Sequence, residues 1–168
     1  MISWGFDACR LSDDQQEGAA RQLLRVARLH HATAGVDLIV ATSRSGIDLL
    51  PRAPSGCFGA IDTETRSVRW NLRGSLSTVY WRLCHELGHY ILVAAGYPDH
   101  TEADATRAGL AVWAPREAVR SVVARVGLDP DAVAASFPYI PAPLLWARIA
   151  LVLDRPMILH IGRERLTW

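Results

Sequence analysis

His85, Glu86 and His89 stand in the order His-Glu-x-x-His, and this spacing has a specific chemical use. Two imidazoles at i and i+4 project from one face of a helix and can bind a single ion together. The glutamate between them is not a ligand. It lies far enough round the helix to hold the water in the open position of a zinc site, where it can act as general base. Zinc lowers the pKa of such a water from about 15.7 to about 7, so one carboxylate is enough to generate hydroxide at neutral pH. Peptide-bond hydrolysis is the usual use of the arrangement, with zinc as the expected metal and manganese as an alternative. The bland reading is a pair of polar histidines on an exposed helix face. An intervening Glu86 and a further carboxylate shortly downstream weigh against it.

Two imidazoles rarely hold zinc alone, so a third ligand is required. Glu102 is the candidate, because it opens the next helix and an antiparallel helix pair returns its carboxylate to the imidazoles. Asp104 is its rival, but Thr101-x-x-Asp104 makes a capping pair that would occupy its oxygens. Glu102 also has an ordinary explanation as a first-turn carboxylate favoured by the helix dipole. His100 and Asp99 are weaker substitutes. A metzincin site needs a third histidine six positions after His89, and that position is Ala95. Cys84 precedes His85, but neighbours on a helix diverge by about 100°, so a buried thiol is expected there rather than a nucleophile. His30, His31 and His160 lack ligand spacing. Tyr80, Tyr97, His100 and Arg107 are all candidates for stabilising an oxyanion, and nothing in the sequence chooses among them.

These residues need elements to position them. Ser12-x-x-Gln15 reads as a capping box opening a helix whose apolar positions run from Ala20 through Leu23, Leu24 and Ala27 to His31, ending at Gly35. Val36 to Ala41 reads as a buried β-branched strand, followed by a loop rich in Ser, Gly and Pro. Strands are expected near Cys57 to Asp62 and Ser67 to Asn71, with a turn at Asp62-Thr63-Glu64-Thr65. A long helix from Ser75 to Ala95, stopped by Gly96 and Pro98, carries an apolar seam of Leu76, Tyr80, Leu83, Leu87, Ile91 and Ala94. His85 and His89 lie nearly opposite that seam, with Glu86 between the faces. Thr101 caps the next helix, Pro115 opens another that Gly127 stops, and Asp129-Pro130 starts a short one. Pro141 to Asp154 is a further apolar helix. Met157 to Ile161 with Arg163 to Thr167 suits a terminal hairpin or an extended tail.

The 168 residues suffice for one sizeable core. Half are hydrophobic and 21% charged, which excludes disorder. Eighteen basic and seventeen acidic residues leave a net charge of +1 spread along the chain, so direct nucleic-acid binding has no support. Cys9, Cys57 and Cys84 show no CxxC spacing, which fits a reducing compartment. With neither a signal segment nor an 18-residue apolar stretch, a cytoplasmic location away from the membrane is expected.

From Val68 through Pro115 the chain resembles the ImmA/IrrE family of metallopeptidases. Tyr80-Trp81-Arg82-Leu83-Cys84-His85-Glu86-Leu87-Gly88-His89 carries the resemblance, together with Glu102-Ala103-Asp104-Ala105-Thr106-Arg107-Ala108-Gly109 running on to Ala114-Pro115. Thr106 departs from the Asn or Asp usual in the family, and Trp113-Ala114 from a common Leu-Met. The resemblance implies a compact α+β fold like that of minimal gluzincins, a small sheet packed on the active-site helix with additional C-terminal helices. It divides the chain into a zincin-like part, residues 1–128, and a helical extension, 129–168, packed on the same core. It implies that His85, His89 and Glu102 bind zinc. It also implies limited cuts in a protein partner, typically a helix-turn-helix transcriptional repressor. Residues 129–154 resemble, weakly, the helical appendages of such proteins, and balanced charge favours partner docking over DNA reading. The alternative is a non-enzymatic regulatory module that binds a protein and keeps the metal for structure. A small-molecule metallohydrolase has only the motif in its favour.

Overall fold

The computed structural model describes residues 9–51, 59–155, 158–161 and 164–167. Helix α1 (Asp13–Val26) opens on the expected capping box, with Ser12 and Gln15 each accepting from the other's backbone N–H. It buries Gln16, Ala19, Ala20, Leu23 and Leu24. It stops well short of Gly35. The Leu29 amide reaches back to the Leu24 carbonyl at 2.7 Å and the Arg28 amide to that of Arg25 at 3.1 Å, with Arg28 left-handed at φ 58°. This is a Schellman closure built without glycine, and it seats Leu29 against the core.

The expected strand at Val36 to Ala41 is instead the start of helix α2 (Leu38–Arg44). Asp37 decides it, because its carboxylate accepts from the amides of Ile39 at 2.9 Å and Val40 at 3.2 Å, supplying an N-cap that outweighs β-branched propensity. Strand β1 (Asp48–Leu50) lies where the sequence suggested only loop. β2 (Gly59–Asp62) and β3 (Ser67–Trp70) are the expected pair, and Asp62 forms their turn by accepting from Glu64 and Thr65 N–H groups, each at 3.0 Å. Cys57, Met157 and Arg163, which bounded the expected strands, lie outside the described residues. The sheet order is β1-β3-β2, with β1 parallel and β2 antiparallel to β3. Ser67, Val68 and Trp70 are buried and Arg69 is exposed, so the sheet has one packed face.

Helix α3 (Leu76–Ala94) carries the histidine motif beneath that face, capped by Ser75 and closed by Gly96 at φ 89° with the Tyr97 amide on the Leu92 carbonyl at 2.9 Å. Its buried surface is wider than a single seam. Leu83, Leu87 and Ile91 are buried as expected, but so are Val79, Cys84, Gly88 and Tyr90, whereas Leu76 and Ala94 at the two ends are exposed. A second helix, packed on the other side of α3, accounts for the difference. This is α4 (Glu102–Trp113), and α5 (Arg116–Val126), α6 (Pro130–Ser136) and α7 (Ala142–Leu153) follow. Pro115 and Pro141 stand one residue outside their helices, as N-caps. A hairpin of β4 (Ile158–Ile161) and β5 (Glu164–Thr167) comes last.

The fold is α+β, a small mixed sheet packed on the motif helix with further helices behind it. Val133, Phe137, Leu144, Leu145 and Ile149 of the C-terminal helical segment share one buried cluster with Leu23, Val68, Leu83 and Leu87. An ion pair ties α7 to α1 inside this core: Arg148 Nη1 lies 2.5 Å from Glu17 Oε1, and Arg148 Nε donates to the Ala114 carbonyl at 2.9 Å. Among the described residues no helix is long and apolar enough to cross a membrane.

Candidate metal centre

The site depends on how closely α3 and α4 approach. A Cβ added at Gly88 would overlap the Ala105 carbonyl, and one at Gly109 would overlap the Cys84 carbonyl and reach its sulfur. No side chain fits at either position, so the helix backbones touch. This contact sets the distance from α3 to the first turn of α4, and it brings Glu102 and Thr106 to the histidines.

Glu102 Oε2 lies 2.9 Å from His85 Nε2 and 3.4 Å from His89 Nε2. The two Nε2 atoms are 3.2 Å apart and the rings stand edge to face at 88°. Among the described residues His85, His89 and Glu102 form a group that could hold a metal ion, with one ligand atom from each and all three within 4.8 Å of one another. The donor chemistry fits a divalent ion of the zinc class, and three protein ligands leave a coordination position for water or substrate. Access is from the side of Glu102, whose side chain is 83% exposed against 19% for either imidazole.

The far nitrogens of both rings are engaged. His85 Nδ1 is 3.1 Å from the Thr106 hydroxyl and His89 Nδ1 is 2.7 Å from His100 Nε2. Burial, partly offset by the Glu102 charge, lowers the His85 pKa, and burial followed by the neighbouring His85 lowers that of His89. Both therefore sit as neutral imidazoles with lone pairs to offer at pH 7. Burial alone would raise the Glu102 carboxyl, but the adjacent His89 and His85 outweigh it and hold Glu102 ionised.

Glu86 is buried at 7% exposure beneath β2. A Cβ on Gly59 would overlap its Cγ and Cδ, so this strand position must be glycine for the carboxylate to lie where it does. Burial first, and then the Glu102 charge, push the Glu86 carboxyl up to about 7. A carboxyl in that range takes and returns a proton near neutrality, as a general base must. The Trp81 ring lies beside His85, centroids 5.7 Å apart.

The other expected residues sort clearly. Cys84 is fully buried, and burial drives its thiol pKa strongly upward, which makes it an inert packing residue. Tyr80 stacks on Trp113 and Tyr139, the Arg107 guanidinium pairs with Asp13 at 3.2 Å, and Tyr97 turns its carbonyl to His100. Of the four oxyanion candidates, His100 lies against His89. His30 and His31 pair with each other on the surface, with ring centroids 4.1 Å apart. Thr106 and Gly59 belong to the site although sequence reasoning gave them no role there. For Thr106 a signal existed, since it follows Glu102 at i+4 on α4.

Asp104, the rival ligand, is fully buried and otherwise engaged. Its carboxylate accepts from the Thr101 amide at 2.9 Å, the Thr101 hydroxyl at 2.8 Å, the Leu11 amide at 3.1 Å, the Arg10 amide at 3.2 Å and the Gln16 side chain at 2.9 Å. Burial alone would raise its pKa, but these donors outweigh that and hold it well below the usual carboxylate value. Its folded pKa is depressed, so the stability it contributes is present above the unfolded value of about 4 and is lost as the pH falls below it. Asp104→Asn is expected to cost about 2 kcal/mol at pH 7 and to flatten the decline in stability below about pH 4. Urea titrations of both proteins from pH 7 to pH 3 would show whether the two curves converge on acidification.

Compared with known proteins, the chain matches no protein-family model and no curated protein. The reading of the centre therefore rests on its own residues.

Proposed function

We propose that the protein is a metal-dependent endopeptidase, with His85, His89 and Glu102 as ligands and Glu86 as general base. The observation that carries this reading is the convergence of two imidazoles and a carboxylate onto one small volume, with a buried carboxyl of raised pKa next in the chain. Zinc is the metal this donor set suits best and manganese the alternative. When bound, it would supply Lewis acidity toward a water and a peptide carbonyl. Glu86 Oε accepts the proton of the attacking water and returns it to the leaving amine nitrogen. Among the described residues β2 is an outer strand of the sheet and its Gly59 lies over Glu86, which favours its edge as the place for an extended substrate chain.

The resemblance to the ImmA/IrrE family supplies the rest of the proposal. The substrate is a protein partner cut at few positions, a helix-turn-helix transcriptional repressor by class, met in the cytoplasm without direct binding of nucleic acid. The primary test is metal content. Wild type is expected to take up one zinc per chain, His89→Ala none, and Glu102→Ala with affinity lowered by at least about 10–100-fold. If wild type supplied with zinc or manganese binds neither, the reading fails. Cleavage of candidate repressors by the loaded protein, abolished by a chelator, is the companion measurement.

A further inference from the structure

Behind His89 stands a second imidazole whose hydrogen bonds dictate which nitrogen of His89 carries hydrogen. The turn that closes α3 at Gly96 aims the Tyr97 carbonyl at His100, whose Nδ1 lies 2.7 Å from that oxygen. A carbonyl oxygen only accepts, so Nδ1 of His100 is its N–H. In the neutral ring the other nitrogen, Nε2, is then an acceptor. Nε2 lies 2.7 Å from His89 Nδ1, which must therefore donate. With hydrogen on Nδ1, the lone pair of His89 falls on Nε2, the atom that faces Glu102 and His85.

We propose that His100 is a positioning residue for the metal, and that the Tyr97 carbonyl, His100 and His89 form a relay presetting the tautomer and ring plane of one ligand before any ion arrives. This deepens the metal reading given above and rests on it. The two ligand histidines are thereby unequal. At His85 the ionised Glu102 carboxylate, 2.9 Å from Nε2, can only accept, so without metal this ring carries its hydrogen on Nε2 and must shift it to Nδ1, toward the Thr106 hydroxyl, when an ion binds. His89 is fixed by a chain that ends on a backbone oxygen. An imidazole backing group orients the ring without the negative charge that a carboxylate in its place would bring.

The test uses the full chain, metal-free, labelled with nitrogen-15 in histidine and held at pH 8, where long-range proton–nitrogen correlations identify the tautomer of each ring. Wild-type His89 is expected to carry hydrogen on Nδ1. In His100→Ala it is expected to move largely to Nε2, and zinc affinity, measured against a competing chelator, to fall about 10–100-fold. His100→Gln, whose side-chain oxygen can accept near the place of the lost Nε2, should keep the Nδ1 hydrogen and most of the affinity. Hydrogen on Nε2 of wild-type His89, or His100→Ala with unchanged tautomer and affinity, overturns the relay. Should His100→Ala fail to fold, loss of the Nδ1 hydrogen in His100→Gln overturns it instead. A correctly protonated His89 in a protein that takes up no zinc would uphold the relay and sink the metal reading.

Discussion

Glu86→Gln is expected to keep full zinc content while peptide cleavage falls by about 10²–10⁴-fold, the usual contribution of a positioned general base. The reasoning is geometric. Glu86 is not in the ligand group, so its neutral isostere leaves the three donor atoms where they are. The amide cannot accept a proton from water, and its similar volume keeps the packing beneath Gly59. The pH profile adds a second readout. The raised pKa of the metal-free carboxyl makes its proton affinity sensitive to any cation alongside, so loading zinc should move the acidic limb of activity below pH 7. Zinc content and single-turnover cleavage measured on the same preparations would decide the matter, and equal cleavage rates would remove Glu86 from the mechanism.

The second large effect lies in packing. Alanine for glycine inside a helix ordinarily stabilises by up to about 1 kcal/mol. Gly18 in α1, where an added Cβ meets nothing within 4 Å, should behave that way. Gly88 should do the reverse. A methyl there would collide with the Ala105 carbonyl, part of a rigid helix that cannot rotate aside. Gly88→Ala is therefore expected to cost about 3 kcal/mol and, for a chain of this size, to lower the melting temperature by roughly 6–12 °C. Its distinguishing sign is coupling to the centre. Pushing α4 outward withdraws Glu102 and Thr106 from His85, so zinc affinity should fall with stability, whereas Gly18→Ala leaves it alone. Thermal melts with and without zinc would separate the two: a Gly88→Ala protein as stable as wild type would mean that α3 and α4 are not in backbone contact.

Elements that announce themselves locally were legible in the sequence. Ser75, Thr101 and Asp129-Pro130 mark helix starts by side-chain chemistry within one turn, and the histidine pair needs only a helical period to face one way. Glu102 was placed by a plausible helix pair, and Asp104 was set aside by its capping chemistry. What failed was decided at a distance or by competition. Val36 to Ala41 has strand composition, but a single Asp37 carboxylate makes it a helix. β1 is three residues long and exists because β3 is beside it in parallel register, a partner the local sequence does not reveal. His100 read as a weak substitute ligand, and only the turn at Gly96 shows that it lies behind His89 instead of beside Glu102. Gly59 carried no local signal, since its requirement comes from a carboxylate on another element.

The contact between Arg148 and Glu17 bears on how the molecule can be divided. A carboxylate near the beginning of the folded chain is neutralised in an apolar interior by a guanidinium delivered more than a hundred residues later, with Arg116 Nε 3.7 Å away as the nearest other cation. Removing Glu17 would strand the buried Arg148 guanidinium, a loss of about 3–5 kcal/mol, whereas removing Arg148 would leave Glu17 only the more distant Arg116. Helix α7 thus works as a keystone for α1. A fragment that kept α1 through α4 and ended before α5 would lack both cations that face the Glu17 carboxylate of its first helix.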